Sequence, residues 1–167
     1  MDLQDLNALS VARAVDEFMA CCGSSRWARE MAARRPFRSM DDVLADADRV
    51  FETLTAPDWL EAFAAHPRIG DRPASSGGKS AGWSAAEQSG VADAARALFE
   101  ERNRDYEARF GHTFIVCATG RTGGEMLEML EARMMNNPED ESHQAAREQR
   151  QITRVRLAKL LNGRQHS

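Results

Sequence analysis

The run HTFIVCATG, residues 112–120, decides the fold class of this chain. It is the only β-like stretch in the sequence, and glycines bound it at positions 111 and 120. A strand needs a neighbour for its backbone hydrogen bonds, and a single isolated strand has none. We therefore predict that this run is an extended segment threaded into a helical core. The predicted fold is all-α, a single-domain bundle of about seven helices spanning residues 1–167.

Helical spacing of apolar residues predicts four helices before residue 67. The third is expected to open with Asp41 and Asp42 near its positive end. The fourth, residues 56–66, carries Pro57 in its first turn and ends before Pro67, because proline disfavours helical geometry in the residue ahead of it. The predicted N-caps of the first three helices are, in chain order, Asn7, Ser24 or Ser25, and Ser39.

Three more helices are predicted after an irregular stretch at 67–83. They run from Glu87 to about Arg109, ended by Gly111, and then over 123–135 and 138–163. The mixed charges of residues 139–150 are typical of a solvated helix face with i,i+4 pairs. Ile152, Val155 and Ala158 mark a buried stripe in the last helix. Arg156 is expected to border that stripe, whereas Arg154 points outward.

Composition excludes several classes of function. The chain is 43% hydrophobic and 29% charged, as soluble globular proteins are, and its formal net charge of −4 argues against a nucleic-acid partner. No apolar run is long enough to span a bilayer, and MDLQDLNALS lacks the features of a signal peptide. The odd cysteine count (Cys21, Cys22, Cys117) predicts neither disulfides nor a metal site. We expect a cytoplasmic protein that needs no metal.

His66 allows two interpretations. It can be a helix C-cap, since an imidazole near a helix C-terminus suits the dipole and can bond the last carbonyls. It can also be a functional residue. The long stretch that follows, rich in glycine and serine, is of the kind that closes over ligands or binds anions.

The run SAAEQ, residues 84–88, is open to two interpretations as well. Ser84 followed three residues later by Glu87 forms a capping box, which alone explains both residues. Alternatively, the positive end of the new helix faces His66, and its amides together with Gln88 receive an anionic ligand. Glu87 would then raise the pKa of His66 toward neutrality, as a general acid requires. Spacing does not choose between the two.

Several runs together resemble one enzyme family. HPRIG at 66–70, SAAEQ at 84–88 and YEARFGHTFIVCATGR at 106–121 follow one another at the separations seen in the OHCU decarboxylases, where OHCU is 2-oxo-4-hydroxy-4-carboxy-5-ureidoimidazoline. The resemblance covers residues 60–161. It continues in the C-terminal half through Arg133, Asn136, Glu141, Ala145, Glu148, Ile152, Arg156 and Leu157.

The resemblance implies an all-helical fold, usually dimeric, that needs no metal or organic cofactor. It also implies a lyase activity, the last step of urate degradation in purine catabolism: OHCU loses CO2 and is protonated on one face, giving (S)-allantoin. His66 matches the proton-transferring histidine, and Arg156 matches the arginine before a leucine, with Arg154 as a near rival. The implied catalytic residues are His66, Glu87 and Arg156. The implied substrate-binding residues are Pro67, Ser84, Gln88, Phe114, Ile115, Val116, Cys117 and Ala118, the last five through their backbone.

Two other functions stay open at this point. A helical binding or scaffold module would use His66 and residues 84–87 only as caps. An enzyme of the same fold could instead act on another ureido or imidazolone acid. The sequence does not decide whether the protein works with, or is fused to, an upstream hydrolase.

Overall fold

The computed structural model describes residues 1–68 and 90–162, with side chains in the second range from residue 94 onward. These ranges form eight helices and no strand, which confirms the all-α prediction. The helices are α1 (Leu3–Ala8), α2 (Val11–Cys21), α3 (Ser25–Ala33), α4 (Met40–Glu52), α5 (Ala56–Ala64), α6 (Gly90–Phe110), α7 (Gly123–Arg133) and α8 (Pro138–Asn162).

The chain divides into two compact units. The first comprises Met1–Ala65 and Ala146–Ser167, and the second His66–Ala145. In the first unit the Phe18 and Trp27 rings meet edge to face at 5.8 Å, and the Trp27 indole donates to the carbonyl of Ala47 at 3.1 Å. Burying aromatic rings with their polar atoms bonded is a large part of what stabilises this unit.

Local capping chemistry produces the helix starts that the sequence predicted. Ser24 and Ser39 accept hydrogen bonds from the backbone of Trp27 and Asp42, as N-caps of α3 and α4. Pro57 lies in the first turn of α5, which ends three residues before Pro67. These predictions are confirmed because caps act over three or four residues of sequence.

The prediction for the first helix is wrong about its N-cap and about the number of helices in this stretch. Two helices occupy that stretch, and the N-caps are Asp2 and Ser10 rather than Asn7. Asn7 lies inside α1. Its amide donates to the Phe37 carbonyl and accepts from the Phe37 N–H, both at 2.9 Å. A long-range pair of bonds to the backbone thus uses the side chain that the local pattern assigned to a cap.

The core of the second unit is built from α6, α7 and the segment between them. Gly111, with φ of 78°, ends α6 in the left-handed conformation that favours glycine, as predicted. Met126 and Leu130 of α7 are fully buried, whereas Met135, just beyond the end of α7, is 84% exposed. The buried cluster consists of Phe99, Tyr106, Phe114, Val116, Met126 and Leu130.

Helix α8 differs most from its prediction. Its first part was expected to be a solvated face, yet Glu141 and Glu148 are 0% and 3% exposed. In its second part the buried residues include Gln149, Thr153 and Leu157, whereas the predicted stripe of Ile152, Val155 and Ala158 is only partly buried. The predicted charge face is confirmed at Glu139, Asp140, His143 and Arg147, which are exposed, and is wrong at Glu141, whose partners Tyr106 and Arg133 lie on other helices.

Candidate active site

His66 lies just beyond the C-terminus of α5, and its side chain is partly buried. The residue before it, Ala65, packs against Gly23. A Cβ atom placed on Gly23 would come within 2.5 Å of the Ala65 Cβ. Only glycine allows this approach, so the turn between α2 and α3 fixes the chain immediately ahead of His66.

The chain just after His66 is held by an ion pair. Arg68 donates from Nε and Nη2 to the two carboxylate oxygens of Glu107 on α6, at 2.7 and 2.6 Å. Two parallel bonds of this kind fix orientation as well as distance. Pro67, which lies between His66 and Arg68 in the chain, is exposed. The chain is thus held at Ala65, just before His66, and by a separate contact at Arg68, two residues after it.

Residues 113–118 run without a turn or bend between α6 and α7. Phe114, Val116 and Ala118 join the core of the second unit, whereas Ile115 and Cys117 are buried outside that cluster. Alternation with a period of two is the signature of extended backbone. The predicted extended segment, threaded into the core, is confirmed.

The carbonyl of Ile115 is bound by a buried ion pair. Arg133, at the end of α7, donates from Nη1 to that oxygen at 2.6 Å. Its Nε donates to Oε1 of Glu141 at 2.7 Å, and its Nη2 lies 2.5 Å from the same oxygen as an ion-pair contact without a hydrogen bond. The side chains of Arg133 and Glu141 are 7% and 0% exposed, and the guanidinium carbon lies 4.6 Å from the centre of the Phe114 ring.

Two further groups complete the surroundings of the Glu141 carboxylate. The Tyr106 hydroxyl donates to Oε1 at 2.5 Å, and the Asn136 amide donates to Oε2 at 2.9 Å. Burial, reinforced by the bond to Glu141, raises the pKa of Tyr106, so this hydroxyl stays protonated as a donor. A buried carboxylate that accepts from three donors, one of them charged, is well compensated for its loss of water.

Sequence reasoning assigned no role to this network. In the sequence, Arg133, Asn136 and Glu141 are recognisable only as members of a pattern that resembles a family, and Tyr106 only as the first residue of the run at 106–121. The available signal was the spacing itself, since an arginine and a glutamate eight residues apart flank a helix boundary at Pro138. Only the fold shows that both are buried.

Arg154 and Arg156 lie on α8 in the first unit, and both are partly buried. Arg154 donates to Asp48 at 2.6 Å and is 42% exposed. Around the helix axis, Arg156 lies about 20° from the buried Gln149, and Arg154 lies about 60° from the buried Leu157. Arg156 also lies close enough to Cys21 to lower the pKa of its thiol. Its role toward a substrate stays a prediction.

The three cysteines are free and buried. Burial raises the pKa of Cys21 to about 12 and also raises that of Cys22, although the charge of Arg156 opposes both shifts. A thiol that remains protonated is a poor nucleophile. These two cysteines are therefore packing groups of the first unit.

The other predicted site residues, Ser84, Glu87 and Gln88, lie outside the described residues, as do most of the predicted irregular stretch at 67–83 and the predicted helix start at Glu87. Within residues 1–68 and 90–162, no three His, Cys, Asp or Glu side chains are grouped as metal ligands would be. No helix in the described parts of the chain combines the length and apolar character that crossing a membrane requires.

Comparison with known proteins identifies the family. The OHCU decarboxylase family model matches residues 7–158. The chain is 43% identical to the uric acid degradation bifunctional protein TTL of Arabidopsis thaliana over 152 residues, 88% of this chain and 47% of that protein. It is 27% identical to the OHCU decarboxylase of Haloferax volcanii over 159 residues, 95% of both chains. The chain belongs to the OHCU decarboxylase family.

The fold agrees with that assignment. A crystal structure of OHCU decarboxylase in the presence of (S)-allantoin superposes with a TM-score of 0.73 at 37% identity, covering 88% of this chain and 98% of that one. The chain spans about half the length of the plant bifunctional protein, 47%. The family and fold predicted from the sequence are confirmed.

Proposed function

We propose that this protein is a cofactor-independent carboxy-lyase that converts OHCU to (S)-allantoin, the last step of urate degradation. The observation that carries the proposal is the family match over residues 7–158. It is supported by the 95% coverage of both chains in the alignment with the Haloferax volcanii decarboxylase. That alignment extends past both ends of the stretch from His66 to Arg156, on which the proposed residues lie.

The chemistry assigns a task to each proposed residue. Loss of CO2 leaves an electron pair on the ring carbon, which the adjacent C=N group accepts if its nitrogen is protonated or hydrogen-bonded. His66 then delivers a proton to one face of that carbon, with Glu87 keeping its pKa near neutrality. Arg156 binds a substrate oxygen anion through paired N–H bonds. Residues 114–118 offer backbone N–H and C=O groups to the ureido and ring amides. Pro67, Ser84 and Gln88 line the rest of the pocket.

The proposal includes three broader features. Residues 1–167 act as one functional domain, since the family model includes residues of both compact units. The protein works as a homodimer in the cytoplasm. Light scattering of the purified chain at micromolar concentration tests the dimer, and a single monomeric mass would contradict it.

The decisive experiment follows urate oxidation by circular dichroism. OHCU generated in the cuvette decays spontaneously to racemic allantoin, so an enzyme shows itself by faster decay and a signal of (S)-allantoin. We expect the wild-type chain to show both. His66→Asn is expected to reduce the catalysed rate by about 10²–10⁴-fold, the usual contribution of a general acid–base group.

His143→Asn, the same change on α8, is the matched control and is expected to retain activity. Far-ultraviolet spectra of all three proteins check that the helices are intact. The proposed activity would be overturned if OHCU decayed no faster with the wild-type protein than without it and gave racemic allantoin. Full activity in a folded His66→Asn variant would return His66 to a capping role.

A further inference from the structure

We infer that Arg133 is a positioning residue for the substrate, acting through the backbone of residues 114–118. The inference rests on the proposed function, because it takes this segment to be the part of the chain that meets the substrate amides. Arg133 itself is buried and is argued to act only by fixing where the segment lies.

Arg133 holds two consecutive residues of the segment in two different ways. Its Nη1 donates to the Ile115 carbonyl at 2.6 Å, and its guanidinium lies over the Phe114 ring, 4.6 Å from the centre. A bond to a carbonyl and a stacking contact on the preceding ring together define both the position and the rotation of an extended chain. Glu141 keeps the guanidinium in this orientation, because its Oε1 accepts from Nε at 2.7 Å and pairs with the positive charge at Nη2.

Stability alone is a weak reason for such a pair. Replacing a buried ion pair by well-packed apolar residues is often neutral or stabilising, because the pair must offset a large loss of hydration. What apolar residues cannot supply is a fixed donor for the Ile115 carbonyl. The arrangement therefore has a directional consequence that hydrophobic packing would not have.

The bond from Arg133 to Ile115 also determines which backbone groups lie on the opposite side of the segment. In an extended chain, the backbone groups of successive residues point to opposite sides. With the Ile115 carbonyl bound to Arg133, the carbonyls of Phe114 and Val116 point away from it. Between Phe114 and Cys117, Ile115 is the only residue whose backbone bonds to another described residue. The geometry points to the Phe114 and Val116 backbone as the groups that recognise the substrate amides.

The test compares Arg133→Lys with Tyr106→Phe. Lysine keeps the charge beside Glu141, but one ammonium cannot copy the fork that reaches both the carboxylate and the Ile115 carbonyl. Tyr106→Phe removes a hydrogen bond to the same carboxylate and leaves the bond from Arg133 to Ile115 in place. Both variants are destabilised, but only the first loosens the segment.

For Arg133→Lys we expect KM for OHCU to rise about tenfold with kcat within about threefold of wild type, the pattern of lost binding shared by ground and transition states. Tyr106→Phe should keep both constants. Hydrogen exchange of amides 114–118 should accelerate in Arg133→Lys relative to Tyr106→Phe. If Arg133→Lys lacks a cooperative thermal transition, Glu141→Gln replaces it under the same criteria, because it also frees the guanidinium.

The outcomes separate the two claims. A wild-type chain that does not accelerate OHCU decay overturns the proposed function, and the inference falls with it. An active wild type with equal KM values in the two variants overturns the inference alone. Equal exchange rates at amides 114–118 in the two variants would overturn it too.

Discussion

Removing the Tyr106 hydroxyl measures what one bond in the buried network contributes to stability. The perturbation is Tyr106→Phe. The hydroxyl donates to Oε1 of Glu141 at 2.5 Å in a fully buried site. The ring contacts survive the change, with centroids 4.7 Å from Phe110 and 5.3 Å from Phe114. The variant therefore tests the hydrogen bond rather than the packing.

The magnitude follows from the character of that bond. A hydrogen bond to a charged acceptor contributes roughly 1.5–3 kcal/mol, and Glu141 keeps the donors of Arg133 and Asn136 when Tyr106 loses its own. The carboxylate is not orphaned, so we expect the free energy of unfolding to fall by about 2 kcal/mol. With an m-value of about 2 kcal/mol per molar urea, typical of a small protein, the midpoint moves down by about 1 M.

Urea unfolding followed by circular dichroism provides the measurement, with Asp105→Asn on the same helix as control. Asp105 pairs with Arg102 at 3.4 Å, but both side chains are substantially exposed, so its loss should change stability by less than about 1 kcal/mol. If both midpoints shift equally little at unchanged m, the bond from Tyr106 does not stabilise the protein and the reasoning about buried charge is refuted.

Three other predictions concern the chemistry. Arg156→Lys should lower kcat/KM at least tenfold and Arg154→Lys should be nearly silent, since the guanidinium of Arg154 is already paired with Asp48. Steady-state kinetics that show the reverse ranking would contradict the proposed role of Arg156. Glu107→Gln should change the melting temperature little but lower kcat roughly three- to tenfold, because it breaks the ion pair between Arg68 and Glu107 just after His66. An unchanged kcat would argue against a role of that ion pair in positioning His66. The raised pKa of Cys21 means that folding favours the neutral thiol, so its contribution is intact below pH 9 and declines as pH rises toward about 12, by about 1.4 kcal/mol per pH unit. Cys21→Ala should therefore flatten the loss of stability between pH 9 and 11, and urea midpoints that fall equally steeply in both proteins would count against it.

The predictions that succeeded depend on short-range physics. Caps at Ser24 and Ser39, the helix end before Pro67 and the left-handed turn at Gly111 are set by backbone groups within a few residues. The extended run at 113–118 was also predictable, because a lone β-like stretch in a helical chain has no strand to pair with. The order and spacing of the HPRIG, SAAEQ and YEARFGHTFIVCATGR runs indicated the family.

The tertiary structure determines which polar side chains are buried. Asn7 was available as a cap, but its partner is the Phe37 backbone, 30 residues away. Glu141 sits in a charge-rich run that predicts exposure, yet the Tyr106 hydroxyl and the Arg133 guanidinium draw it into the core. Burial of a charge is favourable only when several donors converge on it, and those donors come from separate helices. Periodicity records the direction of a side chain along one helix, but only the packed chain brings its partners within hydrogen-bonding distance.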